Sequence, residues 1–258
     1  MFPIISHILQ QIKEWDERYA VKTTTNLPIV SSPVQVIVLT VAYIIFVLKI
    51  GPYLMRNREP FNVKLLMQVY NVFQVFINLY MGFMASRLLW VPDHHNPGCI
   101  TSLPNIHRLK PLESHLNYLY CFIKITDYMD TIFFVLRKSF KQITFLHVYH
   151  HVLMVLSSTM VVHYYGTGGH HTVLGNLNAF IHAWKRFITT AQIVQFIIII
   201  VHQLWPLLIV KGCTYPVILL FSSLSQATIM LILFSKFYNK TYIKKNTKVN
   251  GDNYKKTT

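Results

Sequence analysis

Acidic residues are scarce. Only 9 Asp and Glu occur among 258 residues, and charged residues of all types make up 13% of the chain. That is about half the charged share of a soluble domain, which argues against a globule surrounded by water. From Ile143 to Trp184 there is no Asp, Glu, Lys or Arg. Cysteines number 3, too few for a disulfide framework. Residues 1–28 lack the unbroken apolar core of a cleavable signal peptide, because Lys13, Glu14, Asp16 and Glu17 interrupt them. The chain is instead apolar and basic: 53% hydrophobic, 14% aromatic, with 24 Lys and Arg and a formal net charge of +15. Apolar runs of about 20 residues read as transmembrane helices. The expected fold class is all-α, a polytopic membrane protein with one transmembrane domain. Its cations are accounted for by cytoplasmic loops and a tail, so no nucleic-acid partner is called for.

Along the chain, residues 1–28 read as an amphipathic lead-in, with Ile4, Ile5, Ile8, Leu9, Ile12 and Trp15 at helical spacing. The transmembrane domain is expected over 29–238 and a basic cytoplasmic tail over 239–258. Span one runs from about Ile29 to Ile50 and is broken by Gly51-Pro52. Span two, Leu65 to Ala85, carries Gln68, Asn71, Gln74 and Asn78 as a polar stripe, which serves equally as glue between helices or as a groove. A polar loop over 86–115 holds Asp93-His94-His95, weak evidence for a metal ligand pair, and Cys99. Span three, Leu116 to Leu136, places Lys124, Asp127 and Asp130 on one side of a helix. Ionisable groups at that depth must face one another or a wet cavity.

Span four, Ile143 to Tyr164, contains His147, His150 and His151. Positions i, i+3 and i+4 share a helical face, so the three imidazoles point the same way. Three histidines on one stripe within an apolar span mark a functional site more readily than three separately satisfied core residues. A glycine-rich loop ending in His170-His171 closes this span. The fifth segment starts at Thr172, stacks Asn178 and His182 on one face, and meets Trp184-Lys185-Arg186 after 13 residues. At 1.5 Å per residue it covers about 20 Å, short of the roughly 30 Å hydrocarbon core. Spans six (Phe187 to Val210, with Gln192 and Gln195) and seven (Tyr215 to Tyr238) follow.

With the N-terminus outside and seven spans counted, 16 basic residues fall in cytoplasmic pieces and 7 on the other side, with Lys124 inside a span. The positive-inside rule supports that orientation. It sets Cys99 and Cys213 on the same non-cytoplasmic side, where they either pair or stay free. Lys255-Lys256, near the C-terminus, has the layout of an endoplasmic-reticulum retrieval signal, which a lysine-rich tail also produces by chance.

Several ordered boxes now resemble one family. Lys124-x-x-Asp127-x-x-Asp130-Thr131 is followed by Phe134-Val135-Leu136-Arg137-Lys138. Then comes Gln142-Ile143-Thr144-Phe145-Leu146-His147-Val148-Tyr149-His150-His151, and after it Asn178-x-x-x-His182 and Thr189-x-x-Gln192-x-x-Gln195-Phe196. Together these resemble the fatty-acid elongases, the condensing enzymes that act on very-long-chain acyl-CoA. Two departures stand out. The family has Glu where this chain has Asp127. The family also continues after Asn-x-x-x-His with a segment of about twenty residues that is absent here, where His182-Ala183 runs straight into Trp184.

The resemblance implies a seven-helix elongase-like arrangement with a shortened fifth helix; the length of that segment and the charge rule together predict a kinked or re-entrant passage over 172–186. It implies a multi-pass protein of the endoplasmic-reticulum membrane with a cytoplasmic C-terminus. The implied activity is that of a very-long-chain 3-oxoacyl-CoA synthase, an acyltransferase of fatty-acid biosynthesis. It joins a long-chain acyl-CoA to malonyl-CoA, giving 3-oxoacyl-CoA, CO2 and CoA. Its partners are these two substrates, membrane lipid and other enzymes of the elongation cycle; no bound cofactor or metal is expected. His150 is expected to be the acyl-accepting nucleophile, with His147 and His151 orienting it or relaying protons. His182 is expected to stabilise the enolate or share acyl transfer. Lys124, Asp127, Asp130, Asn178, Gln192 and Gln195 would line the chamber. Arg137, Lys138, Lys185 and Arg186 are candidates for the CoA phosphates or serve only as topology signals. The rival readings are an inactive truncated elongase variant and a membrane di-iron desaturase or hydroxylase, which also uses His-x-x-His-His but needs about eight convergent histidines.

Overall fold

The computed structural model describes residues 2–21, 32–89, 98–183 and 188–243. Among these residues the secondary structure is helical, with short π and 3-10 turns and no β-strand. Five helices are long and apolar enough to cross a membrane: Pro33–Met55, Lys64–Leu89, Phe145–Tyr164, Thr190–Leu208 and Val217–Thr241. The chain divides into two compact units, residues 1–67 with 104–167, and residues 68–103 with 168–258.

In the first unit, α1 (Phe2–Tyr19) is followed by α2 (Pro33–Ile45), which begins on a proline in its first turn, where the missing N–H is no loss. Gly51-Pro52 does not end this span. The helix loosens into a π turn over Phe46–Ile50, where the Gly51 N–H reaches the Phe46 carbonyl five residues back, and continues as α3 (Gly51–Met55). The wider turn makes room for a proline ring that would clash in a regular helix. Gly51 also lets α6 (Tyr128–Leu136) approach: a Cβ there would sit 2.6 Å from Val135 Cγ1. Val36, Tyr43, Val47, Met55, Tyr128 and Val135 form a core with Val155 of α7 (Phe145–Tyr164). The outer face of α2 carries Val34, Ile37, Val38 and Val41 exposed, as suits contact with lipid.

The third expected span differs in both extent and continuity. Its helix starts early, as α5 (Lys110–Thr126), within the expected loop, and α6 follows after a tightened turn at Asp127. The early start is held by buried polar groups. Lys110 Nζ lies 2.6 Å from Glu113 Oε2, and the Thr167 hydroxyl donates to the same oxygen at 3.3 Å. The end of α1 is tied to the end of α7, where His163 Nε2 and the Tyr164 hydroxyl both donate to Asp16 Oδ1, at 2.7 and 3.0 Å. The Val21 N–H adds a bond to the His163 carbonyl.

The second unit contains most of α4 (Lys64–Leu89), together with α8 (His170–Ala183), α9 (Ile188–Leu208) and α10 (Val217–Tyr238). The polar stripe of α4 bonds along its own helix: Gln74 Nε2 donates to the Tyr70 hydroxyl at 2.7 Å, and Asn78 Nδ2 to Gln74 Oε1 at 3.2 Å. Helix α8 begins at His170 rather than Thr172 and has 14 residues, about 21 Å, so it stays too short for the hydrocarbon core. It packs on α4 where Gly82 faces the Phe180 ring and where Asn176 Nδ2 donates to the Gly82 carbonyl at 2.8 Å. Cys99 and Cys213 are disulfide-bonded, with Cα atoms 5.5 Å apart. Beside them the Ile100 N–H donates to His170 Nε2 at 3.1 Å, so the His170 proton sits on Nδ1 and is donated to His202 Nε2 at 3.0 Å. Burial holds the His170 imidazole down at about 3, with His202 and His171 adding to the shift.

Candidate active site

The histidine stripe occupies the first two turns of α7. Thr144 caps the helix, its hydroxyl accepting the His147 N–H at 3.2 Å, which fixes the backbone on which all three rings stand. The His147 and His151 rings meet edge to face with centroids 4.5 Å apart; those of His150 and His151 are 5.6 Å apart. His150 and His151 are buried, while His147 is half-buried. The His147 Nε2 lies 2.9 Å from the Thr131 hydroxyl on α6, and that hydroxyl lies 2.8 Å from the Tyr43 hydroxyl on α2.

The acidic and basic residues of span three sort themselves. Lys124, on the last turn of α5, pairs with Asp127 at 3.0 Å, and both side chains are buried. The Lys124 charge is within electrostatic reach of His150. Asp130 is half-buried on the first turn of α6. Arg137 bonds Gln142 Oε1 and stacks over the Phe134 ring, 5.0 Å from its centroid. Lys138 donates to the Arg56 carbonyl at 3.3 Å. These two cations are thus engaged within the protein. Lys185 and Arg186, together with Asp93-His94-His95 and Lys255-Lys256, lie outside the described residues.

The remaining expected residues stand in the second unit. Asn178 is buried and His182 half-buried on α8, four residues apart on one face. Gln192 and Gln195 are buried on α9. A cavity of about 630 Å³ lies between these two helices, lined by Leu177, Phe180, Ile181, Val194, Ile198 and Gln195 among others. The Gln195 Oε1 is buried and accepts no hydrogen bond among the described residues. Among the described residues no group of three or more His, Cys, Asp or Glu is arranged to hold a metal ion.

Two residues at the histidine stripe carried no role in the sequence. Thr131 closes the first acidic box, and its contact with His147 depends on how α6 meets α7. Tyr43 lies 88 positions from Thr131, in a span with no polar pattern to mark it.

The chain's similarities bear on this arrangement. The sequence model of the GNS1/SUR4 family (ELO) matches residues 28–184 and 183–250, two segments that meet where α8 ends. "Very long chain fatty acid elongase F" of Drosophila melanogaster is 34% identical over 243 residues, covering 86% of this chain and 94% of the relative. "Very long chain fatty acid elongase 7" of Rattus norvegicus is 32% identical over 254 residues, covering 90% and 88%. "Very long chain fatty acid elongase 5" of Mus musculus is 31% identical over 242 residues, covering 84% and 77%.

Proposed function

This chain belongs to the GNS1/SUR4 (ELO) family, and from that premise we propose that it is a very-long-chain 3-oxoacyl-CoA synthase. The reaction joins a long-chain acyl-CoA to malonyl-CoA, with loss of CO2 and CoA. The observation that carries this reading is the cluster of His147, His150 and His151, whose rings meet edge to face on α7, the helix packed against α5, which carries Lys124 of the buried Lys124–Asp127 pair. A neutral imidazole is a competent acyl acceptor. His150 attacks the thioester carbonyl, a bond forms from the ring nitrogen to the acyl carbon, and CoA leaves as the thiolate. Decarboxylation of malonyl-CoA supplies an enolate whose carbon takes the acyl group and frees the imidazole. The enolate needs hydrogen-bond donors while it lasts, a part that falls to His182 unless it shares acyl transfer, while His147 and His151 orient His150 or pass protons. His182 is assigned its part on the family resemblance and is tested by His182→Gln. The apolar cavity between α8 and α9 suits an alkyl chain.

The same reading covers the setting. The protein is a multi-pass acyltransferase of the endoplasmic-reticulum membrane with seven helical segments, α8 being the shortened fifth. Its basic tail is cytoplasmic with Lys255-Lys256 as retrieval signal, and it works alongside the other enzymes of the elongation cycle. Both substrates arrive as CoA thioesters, so no bound cofactor is required. In sealed microsomes an added protease should remove the tail; protection of the tail would overturn the orientation.

A second reading keeps the family and drops the activity. It is favoured by the 14 residues of α8 and by the family match dividing at 183–184. One experiment separates the two. Microsomes containing this chain receive radiolabelled malonyl-CoA and a series of acyl-CoA primers, with His150→Ala alongside. Labelled 3-oxoacyl product that is lost in the variant supports the condensing enzyme. Product only after about twenty residues of a relative's sequence are inserted behind Ala183 supports the inactive form.

A further inference from the structure

We infer that Tyr43 and Thr131 are positioning residues that hold His147 as the neutral tautomer with its proton on Nδ1. The inference starts from proton accounting. Tyr43 lies in a closed setting: its ring stacks on Tyr128 with centroids 3.8 Å apart and planes within 6°, and the Tyr128 hydroxyl is itself bonded to Thr40 at 3.1 Å. The Tyr43 hydroxyl is thereby aimed at Thr131 Oγ1, 2.8 Å away, its one hydrogen-bond partner among the described residues. A phenol carries its proton at neutral pH, and a buried O–H that finds an acceptor donates to it. Thr131 is fully buried. Having accepted from Tyr43, it has one proton of its own to give and, among the described residues, one remaining hydrogen-bond neighbour, His147 Nε2 at 2.9 Å.

His147 therefore accepts at Nε2. A neutral imidazole that accepts at one nitrogen carries its hydrogen on the other. The reverse chain, from His147 through Thr131 to Tyr43, would strand the Tyr43 proton in the core with no acceptor among the described residues, a penalty that biases the tautomers by roughly tenfold or more. A cationic His147, able to donate from both nitrogens, is disfavoured by its place. It sits in the first turn of α7, where the positive end of the helix dipole opposes a further cation. The Thr144 cap holds its backbone and the relay holds its ring, leaving Nδ1–H as the donor His147 offers beside His151. The consequence for turnover rests on the proposed condensing function; the tautomer itself does not.

The test uses the full chain in lipid bilayers, with ¹⁵N-labelled histidine and solid-state NMR. The His147 signals are identified by their loss in His147→Gln. The expected result is a protonated Nδ1 with a bare Nε2. That preference should be lost in Tyr43→Phe and Thr131→Val and recovered in Thr131→Ser. In the condensation assay the first two variants should lower kcat about tenfold with KM within twofold, and Thr131→Ser should recover the rate. A wild-type His147 protonated at Nε2, or a tautomer unmoved by Tyr43→Phe, overturns the relay. A relay seen by NMR in a chain that makes no 3-oxoacyl product would sink the condensing function and leave the relay standing.

Discussion

The Lys124 ammonium lies 3.0 Å from Asp127 Oδ2, and the two side chains are only 1% and 6% exposed. The pair spans the turn between α5 and α6, four residues before Thr131, whose hydroxyl lies 2.9 Å from His147 Nε2. Removing one partner takes from the other the opposite charge 3.0 Å away. Asp127→Asn or Lys124→Met alone should lower stability by about 3–5 kcal/mol, and the double variant by clearly less than the sum. Thermal unfolding in a fixed detergent would measure this; additive single losses would mean that the pair is not coupled. Asp127→Glu, which installs the family's residue, should retain folding.

Gly51 is needed for close approach rather than for an unusual backbone angle. A Cβ would lie 2.6 Å from Val135 Cγ1 and 2.9 Å from the Phe46 carbonyl oxygen. Gly51→Ala should cost about 1–3 kcal/mol through overpacking. Val135→Ala, introduced with it, should recover part of that loss. A neutral Gly51→Ala would show that α3 and α6 separate readily.

Cys99 and Cys213 close a loop across a sequence separation of 114 residues. In the chain-entropy picture a cross-link of that length contributes about 4–5 kcal/mol. The Cys99→Ser/Cys213→Ser variant should unfold at a clearly lower temperature. Alkylation of the native protein without reductant should label no cysteine, since Cys121 is buried; labelling of Cys99 before reduction would contradict the bond.

Acid should loosen the second unit. His170 is held at about 3 in the folded chain against an ordinary 6.5. Below pH 6.5 the unfolded chain therefore takes up a proton that the folded chain refuses, and stability falls as pH drops toward 3. Unfolding followed between pH 7.5 and 4.5 should show this slope, and His170→Gln should reduce it, with His171, held at about 4 by burial, keeping part of the response. An unchanged slope in the variant would place the pH response elsewhere.

Much of the architecture was legible because lipid imposes a simple rule: apolar runs must be helices. The apolar runs at about 29–50, 65–85, 143–164, 187–210 and 215–238 correspond to the helices over 33–55, 64–89, 145–164, 190–208 and 217–241, while the expected span over 116–136 is not among the described helices long and apolar enough to cross. The ends of the runs are less legible. Gly51-Pro52 looks like a stop, yet the π turn absorbs the proline without ending the helix. Lys110 and Glu113 look like loop residues, yet Thr167 satisfies them and the helix begins there. In each case the deciding partner is distant in sequence or the local rule had a cheap exception.

The histidine stripe follows from sequence alone, because spacing of three and four residues is enough to align side chains on any helix. The shortness of the fifth segment follows likewise from residue count and rise. What surrounds the stripe does not follow. That Tyr43 reaches Thr131, and Thr131 reaches His147, depends on how α2, α6 and α7 pack. Hydrogen bonds between residues 16 and 88 positions apart leave no periodic trace, because each residue type is ordinary where it stands. Local spacing therefore determined which side chains share a face, and tertiary packing decided what each of them meets.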